Sequence, residues 1–271
     1  MQELLNDGAA SEPRWSPDGS QFIFVRTGDS FSDLYLRSLV DGSETQLTYN
    51  QTTDYDIGSK DYVDYSSWVV DPSWSISGVI GYASDYYTDY EVLALWIMNY
   101  AGASPSYFPP TPNDDGYIQS VEGISLSGDG TVAGFTSRRV DEDTGEYVSF
   151  VGVMDLGSGL SDTLVDDDGG VFDPSLEPDG TRVAVAIRSG EVTDVWLVDR
   201  DGGDRTQITN GANATKPCWS SDGAWIAYMQ MVDFKFEVWA VSIQGTSIGA
   251  PVKLFNFDDI DAESGLSWFV G

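Results

Sequence analysis

Apolar and polar residues alternate along the chain in short bursts of five to eight, the period of a half-buried strand. "QFIFV" (21–25) and "LYLRSL" (34–39) are separated by the polar loop "RTGDSFSD" (26–33), and the turn "VDGSE" (40–44) leads into "TQLT" (45–48). Ahead of them stands "PRWSPDGS" (13–20), in which Asp18-Gly19 supplies a tight turn and the glycine the positive φ that such a turn requires. The pattern predicts four short strands joined by three polar turns in about fifty residues.

The arrangement repeats. "PSWSISG" (72–78), "ISLSGDG" (124–130), "PSLEPDG" (174–180) and "PCWSSDG" (217–223) echo the first stretch, and "LSWFVG" begins a sixth copy at Leu266. Its large apolar residue is Trp15, Trp74, Leu126, Leu176, Trp219 and Trp268, at spacings of 59, 52, 50, 43 and 49 residues. "DLYLRSLVDGSETQLT" (33–48) aligns without a gap over "DVWLVDRDGGDRTQIT" (194–209). Four-stranded units of this length cannot bury both faces alone, which points to the blades of a β-propeller. The units run over about 12–48, 71–108, 122–165, 173–209 and 216–257, with a partial sixth formed by 262–271 and 1–11, all within one domain spanning 1–271. The expected fold is thus all-β, with four-stranded antiparallel blades and a five- or six-bladed ring. An unclosed ring would leave a strand edge exposed, so the chain is expected to be a piece of a longer protein.

These motifs resemble the TolB-type propeller repeat, which runs Pro-x-Trp-Ser-Pro-Asp-Gly, a β-run, Asp-[Ile/Val]-[Tyr/Trp]-Val, a Gly-Gly turn and Gln-Leu-Thr. The resemblance covers about residues 2–271, with Ser77-Gly78 in place of Asp-Gly in unit 2, a weak third unit, and an insertion over about 49–71. It implies a non-enzymatic, extracellular, surface or periplasmic binding scaffold. The alternative is the propeller domain of a larger enzyme, either the gate of a prolyl-oligopeptidase-like peptidase or a carboxylate-based glycan hydrolase. Because they recur at fixed places, Trp15, Trp74, Trp196, Trp219, Trp239 and Trp268 are expected to pack between blades.

Composition narrows the function. With 44 acidic and 13 basic residues the net charge is −31, which excludes the basic footprint of a nucleic-acid binder. An Asp-rich, Lys-poor chain of this kind suits high salt, where self-repulsion is screened. There is no histidine, so Ser-His-Asp and Cys-His catalysis and His-ligated zinc are excluded. Cys218 is the one cysteine, expected to be a buried structural thiol, and no apolar run reaches transmembrane length. Two glycosylation triplets begin at Asn50 and Asn213.

Three groups of residues carry candidate chemistry. Eleven of the fourteen tyrosines fall between Tyr49 and Tyr117, and the Tyr/Asp set Tyr62, Tyr65, Asp85, Tyr86, Tyr87, Asp89 and Tyr90 is expected to bind a protein or glycan partner. Acids precede the motif at Glu12, Asp71, Glu122 and Asp173, with Glu177 just inside it and Lys216 in their place in unit 5. They would either ring a channel mouth or cap the connections between blades, and capping is the preferred reading. The acidic turns holding Asp141 and Asp143 and holding Asp259, Asp261 and Glu263 suggest Ca²⁺, although neither has the full spacing of a calcium loop.

Overall fold

The computed structural model describes residues 8–86, 88, 92–99, 104–109, 120–140, 144–256 and 264–269. They form five antiparallel sheets, each meandering from an inner to an outer strand, which together make a five-bladed β-propeller. The inner strands are Ala10–Trp15, Val69–Trp74, Glu122–Leu126, Val171–Leu176 and Ala214–Trp219. The two middle strands of a blade pair along nearly all of their length, as Arg182–Ser189 does with Val192–Asp199. Outer strands are short, three residues at Glu44–Gln46 and Arg205–Gln207, and blade 5 ends on Val252–Asn256. The one helix among the described residues, Lys60–Tyr65, lies in the insertion.

The strand period decides which blade each side chain serves. In the second strand of blade 4, Val183, Val185 and Ile187 join the core shared with blade 3, and the intervening Ala184 joins the core shared with blade 5. Every core cluster draws on two neighbouring blades: Ile23 and Leu34 meet Ile80 and Tyr82, and Leu95 meets Ile124 and Phe135. Among the described residues no blade encloses a core of its own, so their stability is mutual.

The motif tryptophans occupy these seams. Trp74 packs on the seam of blades 1 and 2, Trp196 on that of blades 3 and 4, and Trp219 and Trp239 on that of blades 4 and 5. Trp15 meets Phe22 edge-on at 5.8 Å and Phe269 at 6.5 Å. Half-buried Trp268 lines the axial cavity.

Two recurring sequence features acquire a cause. In the Ser-Pro-Asp-Gly turn, the Ser16 hydroxyl donates to Asp18 at 2.7 Å and accepts the Gln21 N–H at 3.0 Å; Ser127 and Ser220 do the same. The distant Asp and Thr-Gln-Leu-Thr elements form one box. Asp33 accepts from Thr48 at 2.9 Å, from the Asn50 N–H at 2.8 Å and from Gln46 at 2.9 Å, and Asp194 is bound by Thr209, Gly211 and Ala212 in the same way. The box ties the third strand to the outer strand and to the start of the next blade.

Candidate functional site

Each inner strand carries a two-residue bulge, and at its first residue the backbone turns left-handed: Glu12, Asp71, Gly123, Asp173 and Lys216 have φ between 51 and 60°. In four blades proline follows, its missing N–H placed where the ladder is already interrupted. The acids are therefore locally strained, and their side chains make compensating bonds to the next blade. Glu12 accepts the Asp71 N–H at 2.5 Å, Asp71 accepts the Gly123 N–H at 2.7 Å, and Asp173 accepts Thr215 Oγ1 at 2.6 Å and pairs with Lys216 Nζ at 2.9 Å. Glu12, Asp71 and Asp173 thus bond across to the next blade, as the capping reading expects, while Asp71 and Asp173 also line the axial cavity.

Two of the sequence assignments move. The residue of blade 3 at this position is Gly123; Glu122 lies one place earlier and reaches Arg138 at 3.4 Å. Glu177 occupies the serine position of the blade 4 turn, where Arg182 grips it at 2.6 and 2.7 Å.

Residues 264–269 extend the inner ring by one more segment. Gly265 has the same left-handed φ, 70°, three places before Trp268 as Asp71 is before Trp74. Ser264 accepts the Glu12 N–H at 3.3 Å, Ser267 accepts the Trp15 N–H at 3.0 Å, and the Trp268 N–H is bound by the Cys218 thiol. The Phe269 ring lies on Gly19, where any side chain would collide with it. This segment bridges blade 5 to blade 1 at the axis.

Together the inner strands enclose an axial cavity of about 180 Å³, lined by all five blades and by this bridging segment. Arg14, Asp71, Asp173 and Lys216 bring charge to it. Burial, reinforced by the Asp71 charge, pushes the neighbouring Glu12 carboxyl up to about 7, against the pull of Arg14 and Lys216. Because the folded value lies above the free one, the native state holds this proton more tightly between about pH 4.5 and 7, and the stabilisation is lost as pH rises through 7. Relative to Glu12→Gln, the wild type should therefore lose roughly 2–3 kcal/mol between pH 5 and 8, read from urea midpoints. Parallel pH profiles for the two proteins would refute it.

The second region is the insertion after blade 1. Tyr62 is 1% exposed, its hydroxyl bound by Gln51 at 3.0 Å, so it anchors the insertion and is withdrawn from the candidate binding surface. Ser59 caps the helix at the Tyr62 N–H, and Ser66 closes it by donating to the Tyr62 carbonyl. Outside this anchor Tyr49, Ile57, Val63 and Tyr65 are exposed, Tyr65 at 63%, and Tyr55 stacks on Tyr65 at 4.9 Å. Asp85 accepts the Trp68 N–H at 2.7 Å, and exposed Tyr86 leans on Trp96 at 5.7 Å. Tyr87, Asp89 and Tyr90 lie outside the described residues, as do Asp141, Asp143, Asp259, Asp261 and Glu263 of the calcium expectation. Among the described residues no cluster of three or more acids or cysteines is spaced to hold a metal. Asn50 is 7% exposed and its amide donates to the Ser32 carbonyl at 2.8 Å, so it is closed to glycosylation in the folded chain. Sequence reasoning missed the bridging segment's role, Arg14 and the inner-strand serines, whose only signal was their recurring place before the motif residue.

Residues 1–65 match the family of the dipeptidyl peptidase IV (DPP IV) N-terminal region. An uncharacterized peptidase, YuxL, from Bacillus subtilis is 27% identical over 115 residues, 42% of this chain and 18% of that protein. The structure of a putative TolB from Agrobacterium tumefaciens superposes with a TM-score of 0.64 at 19% identity, covering 91% of this chain and 80% of the other. TolB from Acinetobacter baumannii gives a TM-score of 0.65 at 18% identity, covering 93% of this chain and 56% of that one. This chain thus spans under a fifth of the Bacillus relative and little more than half of the Acinetobacter chain. No helix among the described residues is long and apolar enough to cross a membrane. At these identities the likeness speaks for architecture, and the chain carries the fold of a TolB-like β-propeller.

Proposed function

We propose that this propeller is a non-catalytic binding module working outside the cytoplasm, and that it presents the 49–68 insertion to a protein partner. The observation that carries the reading is the exposed set Tyr49, Ile57, Val63, Tyr65 and Trp68, held on a short segment whose own anchor, Tyr62, is buried. Locked aromatic and aliphatic groups contribute contact area at small entropic cost. Asp54, Asp56, Asp61 and Asp64 flank them, which favours a partner surface with basic residues around an apolar centre. The Asp-rich, Lys-poor composition supports an exterior, cation-rich setting.

Ile57→Ser, Val63→Ser and Tyr65→Ser combined should weaken capture of a partner from the secreted or periplasmic fraction at least about tenfold and leave the melting temperature within about 2 °C. Equal capture by the two proteins would end the proposal. A fall in melting temperature of about 5 °C or more would show that these side chains pack the insertion.

A second reading, the propeller of a larger peptidase, draws on the match of residues 1–65 and on the Bacillus peptidase relative. An adjoining hydrolase with a nucleophilic serine in the full coding sequence would favour it. The glycan-hydrolase reading needs two free carboxylates facing each other across the cavity. Glu12, Asp71 and Asp173 are each engaged by the next blade's backbone or side chains, so that reading draws no support from them.

A further inference from the structure

The position just before each motif residue forms a ring at the axis: Arg14, Ser73, Ser125, Ser175, Cys218 and Ser267, all lining the cavity. Around it the serines accept, in sequence, the backbone N–H of the next strand. Ser73 takes Leu126 at 3.0 Å, Ser125 takes Leu176 at 2.9 Å, Ser175 takes Trp219 at 3.1 Å and Ser267 takes Trp15 at 3.0 Å. Each oxygen is thus fixed as an acceptor, and none of the four hydroxyl protons goes to an acceptor among the described residues. What each serine keeps for a ligand is its O–H donor and one further lone pair.

Arg14 completes the set. Its Nη1 donates to the Pro13 and Ser264 carbonyls, both at 3.0 Å, and among the described residues it makes no ion pair. Lys216, the other cation at the axis, is already taken by Asp173. The carboxylates nearby accept from neighbouring blades, and Arg14 acts on Glu12 through its charge alone, with no hydrogen bond to it among the described residues.

We propose that the axial cavity is a carboxylate-binding site, in which Arg14 pairs with the ligand's charge and the Ser73, Ser125, Ser175 and Ser267 hydroxyls donate to its oxygens. Charge-assisted bonds from a guanidinium and from hydroxyls fixed by the backbone favour an anion over a neutral polyol. At about 30 Å³ per water, the cavity has the volume of about six waters, room for a small free acid or the last residue of a peptide. This site is separate from the insertion surface, and the Ile57/Val63/Tyr65 variant should bind the same acids unchanged.

The test is titration of the intact chain with succinate, N-acetyl-Gly-Ala, its C-terminal amide and erythritol, followed by calorimetry and by the fluorescence of the cavity tryptophans. The two acids should bind, and the amide and erythritol should bind at least about tenfold more weakly. Binding of the acetylated dipeptide identifies a peptide end as the natural source, and binding of succinate alone a free acid; either supports the site. Arg14→Met should weaken the acids roughly 10- to 100-fold, with only the small loss in melting temperature that the Ser264 bond accounts for. Ser175→Cys reproduces what Cys218 does in blade 5, keeps an acceptor for Trp219, and should weaken them about threefold. The proposal is overturned if neither acid binds at about 20 mM, if Arg14→Met leaves the affinity within about twofold, or if erythritol and the amide bind equally well.

Discussion

Arg182→Met is expected to cost about 3–5 kcal/mol of unfolding free energy, because it strands a buried carboxylate. Glu177 stands where other blades place the turn serine, and it is buried. Arg182 grips it through Nη2 at 2.6 Å and Nε at 2.7 Å, with Thr181 adding one weaker bond at 3.2 Å. The guanidinium also reaches into blade 5, donating to the Gly245 carbonyl at 2.7 Å and lying over the Trp219 ring at 5.4 Å. Methionine preserves much of the stem packing, so the loss isolates the unpaired charge. Removing both charges, as in Glu177→Leu with Arg182→Met, should recover most of the deficit, since a well-packed apolar pair often replaces a buried ion pair at little cost. Urea unfolding of the two single variants and the double one checks this. A single-variant cost below about 1 kcal/mol, or additive losses, would show that the pair is held apart from the core.

Asp33→Ala should cost about 3–4 kcal/mol, since it removes an acceptor serving several donors at a position 0% exposed. The Asn50 N–H, the Thr48 hydroxyl and the Gln46 amide would lose their partner together. Thr48 also accepts the Leu34 N–H at 2.8 Å, so the third strand loosens with it. Asp33→Asn keeps one oxygen for Asn50 and Thr48 and should cost only about 1 kcal/mol. Asp194→Ala in blade 4 should match Asp33→Ala closely, because Thr209 and the Gly211 and Ala212 N–H groups repeat the arrangement. Thermal and urea denaturation measure all three. If the alanine variant is no worse than the asparagine one, the box is incidental to stability.

The acids before the motif show where sequence reading stops. Asp71 was visible as a recurring acid, but its partner is the N–H of Gly123, 52 residues on, which no local pattern reveals. Glu122 looked like the third member of that set because it is acidic, whereas the backbone places Gly123 there. The opposite case is Tyr62. It shares its Tyr/Asp setting with Tyr65, yet the fold buries Tyr62 and leaves Tyr65 exposed. Three residues apart on a helix they share a side, so neither composition nor helical spacing separates them; Tyr65 is exposed because it stands at the helix's last position.

The sequence by itself determined the blade: strand alternation, Asp-Gly turns and the Asp/Thr-Gln-Leu-Thr pairing act within one unit, over at most a few tens of residues. That the units pack as a ring followed from their having no core of their own. Only the tertiary structure decided what the axis is. It brought Ser267 to Trp15 and Ser264 to Glu12 from opposite ends of the chain, and set the inner-strand serines and Arg14 around one cavity. The physical reason is that these bonds run between blades around the ring, and their geometry exists only once every neighbour is in place.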